Sequence, residues 1–395
     1  MKILEINVTC GSGSTGRIAS DIAKQLLKEG HDVVIAYGRD YVETGIKSVR
    51  IGNDLDVYEH VLISRMFDGA GFGSKRATEK FIKWIRNFKP DVIHLHNLHG
   101  YYINIDILFA YIKEEFKGKV IWTLHDCWTF TGHCANFMTD GCEQWISHCI
   151  QCSKSQSLSY PKCLLFGSAY NNFERKKVIF SGVPNLHIVT PSLWLKNLVK
   201  QSFLKYYNVT VINNGIDTGV FKNIKSSLRV KYDLSKYKII LGVASVWDAN
   251  KGLDDFLKLA DIVDKNVKIV LIGLNEKQLK ILPKNIIGIK RTESVQELVE
   301  WYSVSDLFFN PTYEDNYPTV NLEAQSCGTP VVTYDTGGSV ESVPKENIIK
   351  QGDYRSVLNY IYREDNKILK ANFSEDEMID QYMQIYESDY NKNSD

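Results

Sequence analysis

The chain has 395 residues, the length of about two average domains. Its 47 basic and 47 acidic side chains cancel, so no overall positive field attracts it to nucleic acid. Apolar residues make up 44% of the chain and charged residues 24%, as in ordinary globular proteins, and no run approaches the roughly 18 apolar residues of a membrane-spanning helix.

The first half of the chain alternates short apolar runs with helical stretches. The run at its start, residues 1–8, carries one lysine and no long apolar stretch, so it predicts a buried strand rather than a secretory signal. We therefore expect a cytoplasmic protein with reduced cysteines. Six strands are predicted in this half, at residues 3–8, 33–37, 92–96, 120–124, 188–190 and 209–212.

A glycine-rich loop follows the first strand. Gly11, Gly13 and Gly16 have the spacing of a dinucleotide-binding fingerprint, and Asp40 lies after the second strand at about the distance needed to hold a ribose. The loop therefore leaves open an NAD(P)-dependent enzyme. It is also what any tight turn from a strand to a helix requires.

Residues 75–89 predict a helix in which cations surround an aromatic and aliphatic stripe. Such a helix can lie on an anionic bilayer. The stripe can equally pack on the sheet while the cations stay solvated, and we favour this interpretation because the period is that of an ordinary surface helix.

The strand at 120–124 ends in His125 and Asp126. A polar pair at the carboxyl end of a parallel strand is well placed to meet a ligand, and Asp126 is expected to hold the tautomer of the His125 imidazole. The alternative is a core histidine bonded to the backbone.

A cysteine-rich insert occupies residues 127–163, which hold six of the eight cysteines. Four thiols within this short loop suit a tetrahedral structural zinc, although the first pair is spaced more widely than in common zinc fingers. The alternative is a set of buried, unliganded thiols. The candidate zinc ligands are Cys134, Cys142, Cys149 and Cys152.

The second half repeats the pattern of the first, with strands predicted at residues 239–243, 267–272, 286–289, 307–310 and 330–334. Alternating strands and helices predict parallel sheets with right-handed crossovers. Six strands followed by five indicate two Rossmann-like domains. A single barrel would need eight evenly spaced units, and the long interval from 126 to 186 breaks that spacing.

An acidic block, residues 311–330, lies between the last two predicted strands. Its loop carries Glu314 and Asp315, and the helix that follows has Thr319 as its expected N-cap and Glu323 about one turn further on. Open α/β sheets bind ligands at this edge, where helix amides suit a phosphate and carboxylates suit sugar hydroxyls. A purely structural strand, loop and helix would need none of the three acids.

The acidic block resembles the nucleotide-sugar signature of glycosyltransferase family 4, the retaining transferases of the GT-B fold. That signature is an acid, seven residues and Glu, followed by Ala, a small residue, Gly, a small residue and Pro. Four positions match it: Glu323, Ala324, Gly328 and Pro330. Where the family usually has its first Glu this chain has Asp315, preceded by Glu314, a variant that resembles capsule and colanic-acid-type transferases.

The resemblance implies two Rossmann-like domains whose parallel sheets face each other across a cleft. Residues 213–217 are similar to the family's Asn-Gly-Ile-Asp hinge, and we place the boundary near Phe221. Residues 1–220 then form the acceptor-side domain, with the insert bordering the acceptor, and residues 221–374 bind the nucleotide sugar. Residues 375–395 are expected to form a helix that crosses back onto the first domain.

The resemblance also implies roles for single residues. His125 matches the family histidine that contacts the donor sugar beside the reacting carbon. Lys251, at the place where the family has Arg and then Lys-Gly, is expected to hold the leaving diphosphate. The arginine is absent, with Ser-Val-Trp at 245–247 in its neighbourhood, and Arg291 is the nearest cation that can replace it.

The function implied is a retaining glycosyltransferase that moves a sugar from a UDP- or GDP-sugar to a polysaccharide or lipid-linked oligosaccharide, with peripheral contact at the inner face of a membrane and no metal needed for the chemistry. The non-enzymatic alternative is a GT-B scaffold that binds a sugar nucleotide or a partner without turnover, which the missing arginine favours. The implied catalytic residues are His125, Glu314 and Asp315. The implied donor-binding residues are Gly13, Gly16, Lys251, Arg291, Asn316, Tyr317, Pro318, Thr319, Val320 and Glu323.

Overall fold

The computed structural model describes residues 1–363, 365–369 and 373–388. It divides the chain into two compact units, one of Met1–Asn213 with Ile379–Asp395 and one of Asn214–Met378. The division falls at residue 213 rather than near Phe221, because the segment after it pairs with a later part of the second unit. The amide of Ile216 donates to the carbonyl of Phe373 (2.8 Å), and the amide of Glu375 donates to the carbonyl of Ile216 (2.9 Å).

The first unit is built on a seven-stranded parallel sheet with the order β3-β2-β1-β4-β5-β6-β7. The strands are β1 Lys2–Asn7, β2 Asp32–Tyr37, β3 Ser48–Arg50, β4 Val92–Leu95, β5 Lys119–Thr123, β6 Leu186–Thr190 and β7 Asn208–Val211. The helices are α1 Gly13–Lys28, α2 Asp54–Phe67, α3 Lys75–Phe88, α4 Ile105–Glu114, α5 Lys154–Leu158, α6 Ala169–Phe180 and α7 Leu193–Gln201.

The second unit is built on a six-stranded parallel sheet with the order β10-β9-β8-β11-β12-β13. Its strands are β8 Lys238–Val243, β9 Val267–Ile272, β10 Ile286–Ile289, β11 Leu307–Asn310, β12 Val331–Tyr334 and β13 Ile348–Ile349. Its helices are α8 Leu228–Lys231, α9 Leu253–Ala260, α10 Glu276–Leu279, α11 Val295–Val304, α12 Thr319–Ser326 and α13 Leu358–Ile361.

The last described helix, α14, spans Glu375–Glu387, and its part from Ile379 onward belongs to the first unit. Tyr382 and Tyr386 of α14 are buried there, and their hydroxyls bond to Thr123 (3.0 Å) and Glu5 (3.1 Å) of the first sheet. The expected terminal helix extended to residue 395, and residues 389–395 lie outside the described part of the chain.

The eleven predicted strands are all present, because parallel strands covered on both faces are continuous apolar runs. Strands β3 and β13 were not predicted. They have three residues and two, and both lie at sheet edges, so neither is long enough to show a recognisable pattern in the sequence.

Helix α3 uses its apolar stripe for packing within the first unit. Phe81, Ile82 and Ile85 are buried against the core, and Trp84 stacks between Phe81 and Phe88 at ring separations of 5.8 and 5.1 Å. This is the packing arrangement that we favoured over contact with a bilayer. Across the described residues, no helix has both the length and the apolar character that crossing a membrane requires.

Candidate functional site

The acidic loop of the second unit leaves β11 and runs into α12. Pro318 occupies the N-cap position with φ −71° and ψ 120°, and no side chain caps the helix. The expected N-cap, Thr319, is instead the first helical residue, because the fixed φ of proline suits the position just before a helix and proline has no amide hydrogen to satisfy. The first amides of α12 are therefore not covered by a capping side chain, an arrangement that favours an anion.

Backbone contacts hold the acidic loop in place. The carbonyl of Asp315 accepts from the amide of Gly338 (3.1 Å), and a Cβ added to Gly337 would lie 2.2 Å from the same carbonyl oxygen. Glu314 is buried, and its Oε2 accepts from Nδ2 of Asn250 (3.3 Å). The two acids are thus fixed by neighbouring turns.

Lys251 lies against this loop. Its Nζ is 2.6 Å from Oδ2 of Asp315, and its side chain is 37% exposed. Burial alone would lower the pKa of Lys251, but the adjacent Asp315 carboxylate outweighs that effect and the pKa is raised. Lys251 is therefore a permanent cation that is reachable from solvent and is partly neutralised by one carboxylate.

The turn that carries Lys251 is shaped by its neighbours. Asp248 caps it by accepting from the amide of Lys251 at Oδ1 (3.0 Å), and the amide of Tyr313 in the acidic loop donates to the carbonyl of Asn250 (2.7 Å). Gly252 has φ 71°, and a Cβ there would lie 2.3 Å from a backbone oxygen of the acidic loop. Only glycine lets the two segments approach this closely.

Glu323 lies on α12, at the foot of the acidic loop. It is 4% exposed, and the hydroxyl of Tyr302 on α11 donates to its Oε2 (2.9 Å). A buried carboxylate held by a tyrosine is oriented rather than mobile, which suits an acceptor of hydroxyl hydrogen bonds.

The remaining predicted donor-binding residues of the loop lie in the same short stretch. The amide of Asn316 donates to Oδ1 of Asp315 (2.9 Å), and Tyr317 is buried, which raises the pKa of its hydroxyl to about 12. The carbonyl of Tyr317 accepts from Asn214 Nδ2 (2.9 Å). The structure therefore brings Lys251 and residues 314–323 together at one edge of the second sheet.

Arg291 follows a different strand from these residues, and its role toward the donor stays a prediction. It is exposed and follows β10, an edge strand that two other strands separate from β11. At about 4.8 Å per strand, that places β10 some 14 Å from the strand that leads into the acidic loop. At the position of the missing arginine, Trp247 is buried and donates through its Nε1 to the carbonyl of Ile272 (2.9 Å).

The glycine loop of the first unit forms a tight turn between β1 and α1. Gly11 and Gly13 have φ values of 67° and 68°, and the amide of Gly11 donates to the carbonyl of Gly16 (3.2 Å). A Cβ on Gly16 would lie 2.5 Å from the hydroxyl oxygen of Thr9, so this glycine is needed for packing. Gly13 is exposed, as the first residue of α1.

His125 follows β5 and meets a second histidine. Its Nε2 lies 3.1 Å from Nδ1 of His96, and the two rings stack at 5.4 Å with an interplanar angle of 16°. Burial and the neighbouring His96 lower the pKa of His125 to about 3, although the Asp126 carboxylate acts in the opposite direction. His125 is therefore a neutral imidazole at physiological pH.

Asp126 was expected to orient His125, but its 2.6 Å contact is with Nε2 of His99. His99 lies in the loop after β4, so this pairing joins neighbouring strand ends that are far apart in sequence. Burial would raise the pKa of Asp126, but the interaction with His99 outweighs it and the pKa is lowered. The other nitrogen of His99 lies 3.2 Å from the hydroxyl of Tyr160.

Glu5 and His96 are functional candidates that the sequence analysis missed. Glu5 is fully buried in β1, and its Oε2 lies 2.7 Å from Nε2 of His96. A single acid flanked on both sides by apolar residues of the strand is the signal that could have revealed it. Alternating His94 and His96 is a second signal, since residues two apart share a strand face.

The cysteines of the insert are all free thiols. Cys149 Sγ accepts a hydrogen bond from the amide of Gly132 (3.3 Å). The pKa of the Cys134 thiol is raised, mainly by burial and to a smaller extent by the nearby Cys152. In the described part of the chain, only Glu5, His94 and His96 bring three potential metal-ligand atoms within 4.8 Å of one another. The Cys134 thiol thus lies near the other candidate thiols, and zinc binding stays a prediction.

Sequence comparison identifies the class of protein. A match to Glycosyltransferase Family 4 covers residues 15–220, more than half of the chain, and a match to Glycosyl transferases group 1 covers residues 237–363. The chain therefore belongs to glycosyltransferase family 4, and its two parallel-sheet units are those of the GT-B fold. The NAD(P)-dependent alternative, which depended on the glycine loop, is thereby set aside.

Individual relatives span the whole chain. WcaC of Escherichia coli K12, whose name assigns it provisionally to colanic acid biosynthesis as a glycosyl transferase, is 24% identical over 98% of this chain and 100% of its own length. Among solved structures, sucrose-phosphate synthase from Thermosynechococcus elongatus has a TM-score of 0.72 at 15% identity, covering 99% of this chain and 100% of its own. Anabaena HepE, solved in complex with UDP, has a TM-score of 0.69 at 14% identity, covering 98% and 100%.

Proposed function

We propose that this chain is a retaining glycosyltransferase that moves a sugar from a nucleoside-diphosphate sugar to a hydroxyl of a polysaccharide or lipid-linked oligosaccharide. The observation that carries the proposal is the grouping of Lys251, the start of α12 without a capping side chain, and the oriented Glu323 at the carboxyl edge of the second sheet. This edge offers positive charge for a diphosphate beside carboxylates for hydroxyls.

In the proposed reaction the bond between the anomeric carbon and the diphosphate breaks, and the electron pair leaves with the diphosphate oxygen. Lys251 and the first amides of α12 stabilise the charge that develops there, which is where preorganised electrostatics contribute most. The acceptor hydroxyl attacks the same face of the sugar, forms the new bond, and passes its proton to the departing diphosphate oxygen. Because Lys251 and the amides supply the positive charge, we propose that no divalent ion is needed.

His125 is proposed to contact the donor sugar beside the reacting carbon. A neutral imidazole offers one donor and one acceptor, which suits a sugar hydroxyl. Its low pKa makes it a poor general base at neutral pH, in keeping with a retaining reaction, which needs no base on the opposite face of the sugar.

The donor and acceptor classes draw support from the relatives. HepE has been solved in complex with UDP and with UDP-glucose, which supports a uridine nucleotide as the first donor to test. WcaC and a 41.2 kDa protein of the cps region of Klebsiella pneumoniae, 22% identical over 78% of this chain, support a polysaccharide or its lipid-linked precursor as the acceptor. A lipid-linked acceptor would place the protein at the inner face of a membrane.

A scaffold without turnover is the second candidate, favoured by the absence of a cation at residues 245–247. A thermal-shift screen of UDP- and GDP-sugars, followed by an assay for released nucleoside diphosphate, separates the two. A ligand at a hundred times its dissociation constant stabilises by about 2.7 kcal/mol. Stabilisation with nucleotide release supports the enzyme, and stabilisation without release supports a scaffold that binds a sugar nucleotide. No shift with any sugar nucleotide contradicts both of these and leaves only a scaffold that binds a partner.

A further inference from the structure

A continuous line of polar side chains runs from the core of the first unit to His125. Oε2 of Glu5 lies 2.7 Å from Nε2 of His96, and Nδ1 of His96 lies 3.1 Å from Nε2 of His125. Glu5 and His96 are both buried, one in β1 and the other directly after the adjacent β4. The line therefore crosses three neighbouring strands, since His125 follows β5.

The chemistry of the three groups leaves one arrangement of protons. The pKa of Glu5, which burial would raise, is lowered to about 2 by His94 and His96, so the carboxylate only accepts hydrogen bonds. His96 must then donate through Nε2, and because burial lowers its pKa to about 4 it is neutral, with a lone pair on Nδ1. His125 must donate its Nε2 hydrogen to that lone pair.

We propose that Glu5 and His96 are positioning residues that hold His125 in the tautomer with hydrogen on Nε2 and a lone pair on Nδ1. The inference deepens the proposed function, on which it depends for the role of His125 toward a donor sugar. With this tautomer, Nδ1 carries a lone pair and acts only as a hydrogen-bond acceptor, also toward a donor sugar. The opposite tautomer would present a donor hydrogen at the same atom.

The second carboxylate oxygen of Glu5, Oε1, is also held by a hydrogen bond, so the carboxylate is fixed at both oxygens. The Tyr386 hydroxyl on α14 donates to Glu5 Oε1 (3.1 Å) and lies 2.6 Å from Nδ1 of His94. The other nitrogen of His94 lies 2.8 Å from the hydroxyl oxygen of Thr123. Each nitrogen of both histidines thus has a hydrogen-bond partner, which accounts for the close approach of Glu5, His94 and His96 without a metal ion.

The same contacts predict what an amide would do in place of the carboxylate. In Glu5→Gln, the Tyr386 hydroxyl keeps the hydrogen bond that it now donates to Oε1 when the amide oxygen takes the place of that atom. The amide NH₂ then faces His96 and donates to its Nε2. His96 must carry its hydrogen on Nδ1 and donate to His125 Nε2, so His125 changes to the tautomer with hydrogen on Nδ1.

The test is the ¹⁵N chemical shifts of the histidines in the full-length protein at pH 7, with His125→Gln used to assign the His125 signals. We expect an Nε2-protonated His125 in the unmodified protein, an Nδ1-protonated one in Glu5→Gln, and an unchanged one in Tyr386→Phe, which removes a single hydrogen bond to Glu5. An Nδ1-protonated His125 in the unmodified protein overturns the proposal, whether or not Glu5→Gln folds.

Transfer assays on the same proteins separate this proposal from the proposed function. Glu5→Gln is expected to lower turnover at least about tenfold, the effect of one misplaced hydrogen bond, while nucleotide affinity and the turnover of Tyr386→Phe stay within about twofold. If the unmodified protein has the expected tautomers but transfers no sugar, the proposed function is refuted while Glu5 and His96 still position His125. Normal transfer by Glu5→Gln with an inverted tautomer refutes the positioning role.

Discussion

Lys251→Met removes the charge that is proposed to hold the donor diphosphate. At about 4 Å and an effective dielectric constant of about 20, one unit charge contributes about 4 kcal/mol. Because Lys251 is 37% exposed, we halve this value for solvent screening, to about 2 kcal/mol. That corresponds to a loss of about 30-fold in nucleoside diphosphate affinity. The unpaired Asp315 carboxylate adds repulsion, so 30-fold is a lower bound.

The structure supplies a matched control for this change. Lys238 pairs with Asp306 at 3.2 Å across the same two strands, β8 and β11, but at their opposite ends, and its side chain is 47% exposed. Lys238→Met therefore removes a lysine–aspartate pair at the edge of the sheet opposite the acidic loop, where Asp306 keeps a second partner in Arg229 (2.6 Å). We expect it to leave nucleotide affinity within about twofold, since surface ion pairs contribute about 0–1 kcal/mol to stability and nothing to a distant ligand.

Isothermal titration calorimetry with UDP and GDP at constant ionic strength measures both variants. The double variant Lys251→Met with Asp315→Asn should recover part of the lost affinity, because it also removes the repelling carboxylate. Equal affinities for Lys251→Met and Lys238→Met would refute the assignment of Lys251 to the diphosphate. No recovery in the double variant would refute the repulsion from Asp315.

Three further predictions concern the turn, the core and the insert. Gly252→Ala should lower the free energy of unfolding by more than about 2 kcal/mol and weaken nucleotide binding. The control is Gly30→Ala, where φ is 84° and a Cβ has open space, and it should cost about 1–2 kcal/mol and leave binding unchanged. Similar chemical-denaturation and binding results for the two variants would contradict the close approach of the turn. His60 accepts hydrogen bonds from two backbone amides at Nε2 (3.1 Å each), and burial lowers its pKa to about 4. Between pH 6.5 and 4 the unfolded chain therefore gains a proton at this residue that the folded chain does not, so the free energy of unfolding falls as the pH falls. Urea titrations at several pH values should show that His60→Gln removes up to about 3 kcal/mol of this loss of stability. If the free energy of unfolding depended on pH equally in the variant and the unmodified protein, His60 would not be its source. If the insert binds metal, metal analysis of the purified protein should find about one zinc per chain, which Cys149→Ser loses and Cys163→Ser keeps. A protein without zinc, in which all thiols can be titrated after unfolding, would leave only the packing of buried thiols as the explanation.

The sequence predicted most of the fold because the buried parallel strands are apolar along their length. It also predicted the acidic block, since Glu314, Asp315 and Glu323 lie close together along the chain. The edge strands β3 and β13 escaped because they have only three residues and two, too few to show a periodic pattern. Thr319 was wrongly expected to be the N-cap because the capping rule ignored the proline before it.

The contacts of His125 and Asp126 could not be predicted, because they join strands that are distant in sequence. His125 meets His96, 29 residues earlier, and the line continues to Glu5, another 91 residues back. Asp126 meets His99 across 27 residues. Such pairings depend on the order β1-β4-β5 in the sheet, and apolar periodicity does not determine the order of strands.

The anomeric configuration of the first sugar formed from a nucleotide sugar tests the central claim most directly. The protein is incubated with an α-linked donor that stabilises it, and ¹H NMR follows the anomeric signal before mutarotation, with water or a saccharide as the acceptor. A retaining transferase produces the α-configured sugar first, together with one equivalent of nucleoside diphosphate. A β-configured first product would contradict the account.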